Sequence, residues 1–378
     1  MMGEHPGEPL GLGIFGYGFI AGVHAAALRH VDGARVAAVC GPRIDAAREL
    51  ARKHAIADVY SDPDQLLARD DVIGVLVDTP DVTHYDLVTR ALRAGKHVFC
   101  EKPLARTVEE AREMYATATA GRRRTVVGFS NRWDPVVAAI KAMVDNDDLG
   151  EIVHVYGQAL NASLVRSARP RFTWRTDAAR TGTGILGDLG AHYVDLTHHL
   201  LGPITEVCAE LRTVVREVFD DQGVTHPHLV DDDALLMMRL ATPKGAPAHG
   251  TLAVSRLGSV HSDYPVGRRH YLIDGRKGGV LFENGRGWFF RPGQRGVPIA
   301  GDSPAAGTGQ PGPAGQPSHE DALLQGAIAQ MQTFVWAIRE DRDIAPTFRE
   351  GLQCQEVLHA AVESSKAHAW RPVAPVER

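Results

Sequence analysis

A short apolar run, Leu10–Phe15, leads directly into Gly16-Tyr17-Gly18-Phe19-Ile20-Ala21 and then into a helical pattern over Phe19–His30. Few local sequences constrain a fold as tightly. A glycine at the first position permits a tight strand-to-helix turn. A glycine at the second lets a ligand approach the backbone, and a small third residue lets helix and strand pack closely. The helix that follows presents unpaired N–H groups and the positive end of its dipole to an anion. The pattern predicts a dinucleotide pyrophosphate over residues 16–21. The competing reading, a glycine-rich turn with no ligand, is weakened by what comes next in the chain.

Alternating strand and helix patterns continue through the first third: strands Arg35–Cys40, Val72–Asp78, Lys96–Cys100 and Thr125–Phe129, and helices Ile44–His54 and Val82–Ala94. Thr107 followed by Glu110 has the spacing of a capping box and opens a further helix. Such alternation predicts a parallel α/β sheet of the Rossmann, doubly wound type. After Gly150 the pattern changes to longer strand-like runs, Ile152–Leu160, Ile204–Val215, Ala234–Leu240, His249–Ser255 and His270–Ile273, around a helix at Leu189–Leu201. This predicts an α+β domain with an open, largely antiparallel sheet. Pro292–Pro317, rich in Gly, Pro, Ala and Ser, reads as a mobile loop. Helices are predicted at Ala322–Glu340 and Phe348–Ala369. The expected division is a dinucleotide-binding domain over 1–133 and a substrate-binding and oligomerisation domain over 134–378.

With 378 residues the chain has room for both domains, and its formal net charge of -5 offers no electrostatic footprint for nucleic acid or an anionic membrane. No apolar run has membrane-spanning length, and the start of the sequence has no signal-peptide core. Cys40, Cys100, Cys208 and Cys354 are widely spaced, which argues against a zinc cluster or a disulfide framework and for reduced thiols in a cytoplasmic protein. No metal site is expected. The acidic run Asp231–Asp233, after His226 and His228, reads as a solvated strand edge. Arg122–Arg124 reads as a solvated helix end, and His198–His199 as helix surface plus packing.

The second strand normally closes on an acidic residue that binds the adenosine ribose. Here it ends Val39-Cys40-Gly41-Pro42-Arg43, and Asp32 precedes the strand in a turn with Gly33. A missing carboxylate beside Arg43 leans toward a 2′-phosphate, hence NADP over NAD, although Arg43 as a plain solvated residue remains open.

Two further segments carry chemistry. Glu101-Lys102-Pro103 follows a predicted parallel strand, at whose carboxyl end ligands meet such a sheet. A lysine there suits the orientation of a substrate hydroxyl or acid–base work. In Gly182-Thr183-Gly184-Ile185-Leu186-Gly187-Asp188-Leu189-Gly190-Ala191-His192, Asp188 and His192 are four apart and share one helix face. An imidazole beside a carboxylate suits alcohol oxidation, because the ring takes the hydroxyl proton as hydride leaves carbon. A bland alternative stands beside this one, with Asp188 as an N-cap and His192 as a half-buried packing residue.

In order and spacing the chain resembles the Gfo/Idh/MocA family of glucose–fructose oxidoreductase and inositol dehydrogenase. The resemblance rests on the glycine turn with Ile20-Ala21 and His24, on Thr79-Pro80 with His84, and on Ala94-Gly95-Lys96-His97-Val98-Phe99-Cys100-Glu101-Lys102-Pro103. It continues through Asn131-Arg132, Trp174-Arg175, the Gly182–Asp195 block, and Thr347-Phe348 through Gly351. It implies Lys102, Asp188 and His192 as catalytic residues. It implies cofactor contacts at Gly16, Tyr17, Gly18, Phe19, Ile20, Ala21, Arg43, Thr79, Pro80, His84, Glu101, Lys102 and Arg132. Substrate contacts are implied at Lys102, Trp174, Arg175, Asp188 and His192. The implied activity is NAD- or NADP-dependent hydride transfer at a secondary alcohol of a sugar, sugar derivative or cyclitol, in a homodimer or homotetramer. Thr183 replaces the middle glycine of the family's triple-glycine run, and Gly41 replaces its common acidic residue. Two rival readings are a redox-neutral glycoside-cleaving or eliminating enzyme with tightly held NAD, and a non-enzymatic dinucleotide sensor.

Overall fold

The computed structural model describes residues 8–242, 247–258, 268–299 and 319–377. The chain divides into two compact units. The first takes in the chain to Ala105, Glu109–Gly128 and, from far downstream, Leu324–Gly351. The second takes in Arg106–Val108, Phe129–Leu323 and Leu352 onward. Part of the segment expected in the second domain thus belongs with the first.

In the first unit the chain runs β1 (Leu10–Phe15), α1 (Phe19–Leu28), β2 (Ala34–Cys40), α2 (Ile44–His54), β3 (Asp58–Tyr60), α3 (Pro63–Leu67), β4 (Val72–Val77), α4 (His84–Arg93), β5 (His97–Cys100), α5 (Val108–Ala120) and β6 (Thr125–Val127). The six strands form one parallel sheet in the order β3-β2-β1-β4-β5-β6. Near-continuous burial along β1 and β4 matches their unbroken apolar sequence, as expected of strands covered on both faces. The order reverses between β1 and β4, and a ligand crevice opens outside the carboxyl ends of the strands at such a switch point.

A helix from the far end of the chain completes this core. Within His319–Arg339, Ala327, Met331, Phe334 and Val335 join Leu12, Leu76, Phe99 and Val126 in one buried cluster. The Phe334 ring meets Phe99 edge-on at 6.2 Å. The Arg339 guanidinium donates to the Gly33 carbonyl at 2.9 Å, and Val127 N–H to the Pro346 carbonyl at 2.9 Å. Arg124, expected as part of a solvated helix end, is instead largely covered and paired with Asp341 and Asp343.

The second unit begins with α6 (Pro135–Asp145), whose first turn is capped by Asp134 accepting Val136 N–H at 2.8 Å. It continues through β7 (Ile152–Leu160), α7 (Ala191–Leu201), β8 (Ile204–Arg212), β9 (Glu217–Phe219), β10 (Thr225–Pro227), β11 (Asp233–Leu240), β12 (Ala248–Ser255), β13 (Arg268–Gly275), β14 (Gly279–Glu283), β15 (Arg286–Phe290) and β16 (Val297–Pro298). The helix described above is α8, and α9 (Phe348–Ala367) and β17 (Arg371–Pro372) end the chain. The main sheet is nine-stranded, in the order β16-β15-β14-β13-β7-β12-β11-β8-β17, and antiparallel except for β7 beside β12. β8 is shorter than predicted for a physical reason. The Asp232 carboxylate accepts the N–H groups of Val214 and Val215, at 2.8 Å each, and draws the chain off the ladder. Most of the predicted Pro292–Pro317 loop, 300–317, lies outside the described residues.

Replacing Phe334 with alanine is expected to cost about 3–5 kcal/mol, the usual penalty for emptying a buried aromatic site. A fall in urea or thermal midpoint measures it, and an unchanged midpoint would show that α8 does not hold the first core together.

Candidate active site

The glycine turn has the geometry its sequence demands. Gly16 adopts φ +116°, and a Cβ there would stand 2.4 Å from the Asp78 carbonyl oxygen, so only glycine fits. At Gly18 a Cβ would meet nothing within 4 Å, so the space over the turn is open. Gly18 caps α1 without a side-chain bond, and the first turn holds no acid. The α1 N–H groups therefore face neither a capping side chain nor a competing carboxylate, and this fits a dinucleotide pyrophosphate. Ala21 is fully buried against the sheet while Phe19 projects outward, 77% exposed, and Ile20 is half-buried.

At the adenosine end, a Cβ on Gly41 would lie 2.3 Å from the Tyr17 ring, so the ring occupies the room an acidic side chain would need. Arg43 lies over that ring at 5.2 Å from its centroid and donates from Nε to the Tyr17 hydroxyl at 3.2 Å. No carboxylate therefore closes β2.

Two further segments extend from the same edge of the sheet. Thr79 and Pro80 follow β4, and the Thr83 hydroxyl donates to Thr79 Oγ1 at 2.7 Å. His84 is wholly buried, its ring nitrogens 3.0 Å from the Pro103 carbonyl and 2.9 Å from that of Thr79. It straps the β4 loop to the β5 loop rather than facing outward. Glu101 and Lys102, both half-buried, follow β5.

The second unit holds Asp188 and His192, and a feature absent from local sequence patterns places them. Leu186–Gly190 form a π-helical turn that runs into α7, the kind of turn that recurs at functional sites. Its start is held by Asp231, just before β11. The Asp231 carboxylate accepts Gly184 N–H at 2.6 Å and Leu186 N–H at 2.7 Å, and its carbonyl accepts Ile185 N–H at 2.8 Å. Burial pushes the Asp231 carboxyl up, and the two N–H bonds draw it partly back. A Cβ on Gly184 would stand 1.9 Å from the Asp231 carbonyl oxygen, and one on Gly182 would stand 2.2 Å from that of Arg106. Those two glycines are obligatory. Thr183 between them is half-buried, and its carbonyl accepts the Thr181 hydroxyl at 2.7 Å, so this departure from the triple-glycine run is accommodated.

The reading of Asp231–Asp233 as a solvated edge is corrected here, because Asp231 and Asp232 are buried and bonded to backbone amides. Strand-edge acids look alike in sequence, and the amides that hold these two lie at least 17 residues away along the chain.

Asp188 is gripped by two guanidinium groups: Arg256 Nη2 donates to Oδ2 at 2.8 Å, and Arg175 Nε to Oδ1 at 3.4 Å. Arg256 gave no sequence signal, since it stands 68 residues from Asp188 at the end of β12. Arg175 also lies over the Trp174 ring at 4.3 Å. Arg132 donates through Nε and Nη2 to both oxygens of buried Asp195, at 2.8 and 2.6 Å, so two arms of its fork tie the segment before α6 to α7. His192, half-buried, begins α7 with Ala191.

Asp231→Asn leaves one acceptor oxygen for two buried N–H groups. It is expected to cost about 1–3 kcal/mol of stability and to lower turnover, both read by thermal melting and steady-state kinetics. Wild-type behaviour in both would dismiss the cradle.

Comparison with known proteins agrees with this geometry. Residues 10–129 match the oxidoreductase family with an NAD-binding Rossmann fold, and 137–281 match the GFO/IDH/MocA C-terminal domain. The chain is 30% identical over 361 residues to inositol 2-dehydrogenase of Rhizobium meliloti, covering 93% of this chain and 96% of that one. It is 27% identical over 400 residues to levoglucosan dehydrogenase of Pseudarthrobacter phenanthrenivorans, covering 96% and 98%. The structure of levoglucosan dehydrogenase in complex with NADH superposes with a TM-score of 0.86 at 26% identity, covering 98% of this chain and all of that one. A Rossmann sheet with an uncapped glycine turn, a lysine after β5, and Asp188 and His192 around the start of α7 thus occur together in a chain that belongs to the Gfo/Idh/MocA family, oxidoreductases with an NAD-binding Rossmann fold.

Proposed function

We propose that the protein interconverts a secondary alcohol and its ketone on a sugar, sugar derivative or cyclitol, with Lys102, Asp188 and His192 as its catalytic residues. One observation carries the reading. Lys102 stands at the carboxyl edge of the six-stranded sheet, the edge that also bears the open N-terminus of α1. A nicotinamide supplies the hydride acceptor when bound. Lys102 donates to the reacting oxygen and lowers its hold on the proton, and the His192 imidazole takes that proton. Asp188, paired with Arg256 and Arg175, orients the imidazole or accepts from a neighbouring hydroxyl. The names of the relatives, levoglucosan and inositol dehydrogenases, support a polyhydroxylated ring as substrate. Trp174 with Arg175 over its face offers the aromatic and polar surface such a ring needs.

Two finer assignments accompany this reading. NADP is proposed as the preferred cofactor, because Arg43 stands at the end of β2 where Gly41 leaves no carboxylate to repel a 2′-phosphate. A homo-oligomer in the cytoplasm is proposed because Tyr156, Leu235 and Met237, each at least 42% exposed, lie on β7 and β11 of the second unit's sheet, and all four cysteines are free thiols. Among the described residues no helix is long and apolar enough to cross a membrane.

Lys102→Ala and His192→Ala are each expected to lower kcat by about 10²- to 10⁴-fold, the range for a positioned acid–base group, while dinucleotide still quenches intrinsic fluorescence. Full activity in both variants would defeat the assignment. Arg43→Ala is expected to weaken NADP by about tenfold or more, as for loss of a charge-assisted bond, with little change for NAD. An equal effect on both cofactors would remove the NADP preference.

A further inference from the structure

The first unit buries a titratable group that the proposed reaction does not use. His24, in α1 just beyond the glycine turn, is fully buried. Its Nδ1 lies 3.0 and 3.1 Å from the two carboxylate oxygens of Asp78, which follows β4. Its Nε2 faces Oε1 of Glu101, which follows β5, at 3.8 Å, and has no hydrogen-bond partner among the described residues. The Asp78 side chain is fully covered and that of Glu101 only 15% exposed. Three segments of the sheet's carboxyl edge therefore converge on one imidazole.

The chemistry of the ring decides what this arrangement is. Carboxylates only accept, and a neutral imidazole has a single N–H. With Asp78 on one ring nitrogen and Glu101 on the other, a neutral ring satisfies one side and turns a lone pair, or no proton, toward the other. The imidazolium puts an N–H toward each. The three groups also come close enough to suggest a cation site. A metal takes one lone pair from an imidazole, however, and here the two acids flank opposite nitrogens, which is the arrangement of a ring donating in both directions.

We propose that His24 is a positioning residue, a buried imidazolium that bolts Asp78 to Glu101 and thereby fixes the turn on which Lys102 stands. Glu101 Oε2 accepts the Lys102 N–H at 3.2 Å. A Cβ on Gly128 would come within 2.6 Å of Glu101 Oε1, so the carboxylate fills the space a side chain would need. Glu101 is thus held by the His24 ring, the Lys102 amide and the bare face of Gly128. This inference rests on the assignment of Lys102 made above.

The neighbouring charges favour the protonated ring. Burial works against it, but the Asp78 carboxylate, through its charge and its hydrogen bond, and then Glu101 more than offset this, so His24 titrates above its ordinary value. Burial holds the Glu101 carboxyl above its ordinary value, with His24 drawing it partly back, Asp78 adding to the rise and Lys102 opposing it. Cys100, on β5, is pushed well up by burial and by Glu101, Asp78 and Asp81. Phe99 meets the His24 ring edge-on at 5.0 Å and carries no charge. Because the folded value is raised, the bolt is intact below the ordinary histidine range and is lost as pH climbs through the raised value. Failure is expected on the alkaline side.

The test reads the ring directly. In the full-length protein labelled with nitrogen-15 histidine and free of cofactor, both His24 ring nitrogens are expected to show imidazolium shifts at pH 7. Exposed histidines are largely neutral by then. Asp78→Asn is expected to bring the His24 titration to lower pH. A neutral-tautomer signature for His24 at pH 7 would overturn the proposal. In kinetics, His24→Gln is expected to lower kcat by roughly 10- to 100-fold, as for a misplaced catalytic group, to change KM for the dinucleotide by less than about threefold, and to alter the alkaline limb of the pH profile. Loss of kcat with an unmoved limb would mark the ring as packing alone and also overturn it. If Lys102→Ala keeps full activity, the catalytic reading fails while the imidazolium shifts stand, so the two failures are distinguishable.

Discussion

A charge removed from water must find a partner or it unfolds what surrounds it. That constraint, met three times, holds the functional segments of this protein. Asp231 meets it with backbone amides and so fixes the start of the turn that carries Asp188. Arg132 and Asp195 meet it with each other and join the segment before α6 to α7. His24 meets it with Asp78 and Glu101 at the edge of the parallel sheet. In each case the partners come from distant parts of the chain, so satisfying a charge also settles a geometry. For the Arg132–Asp195 pair, removing one partner leaves the other charge buried alone, which costs about 3–5 kcal/mol.

The same economy appears in the glycines. Gly16, Gly182 and Gly184 each sit where a Cβ would press on a carbonyl oxygen. Gly18 is bare for the opposite reason, since among the described residues nothing lies within 4 Å of where its Cβ would stand. The first kind of glycine serves the fold and the second leaves room for a ligand. A sequence motif reads them alike.

What the sequence revealed and what it hid divide along that line. The turn at residues 16–21, the strand ends before Thr79 and Glu101, and the Asp188–His192 spacing are local patterns, so periodicity and glycine placement exposed them. β7 was read to the residue, since from Val155 to Ala159 buried positions alternate with less buried ones. Asp231 and Arg256 stayed hidden, because their importance comes from partners 45 and 68 residues away. The short strands β14 and β15 were missed because five residues each give too little alternation to stand out. α8 was recognised as a helix, but no residue in it announces that its apolar face belongs to the first unit.

The distant origin of α8 bears on how the protein comes into being. Phe99 and Leu76 lie in the first third of the chain, yet the helix that covers them with Met331 and Phe334 is more than two hundred residues downstream. A ribosome that has finished the six-stranded sheet has still not finished its core. Until α8 emerges, the first unit carries an open apolar face. A fragment cut at the apparent end of the nucleotide-binding domain would keep every motif and lack the lid that makes the sheet stable.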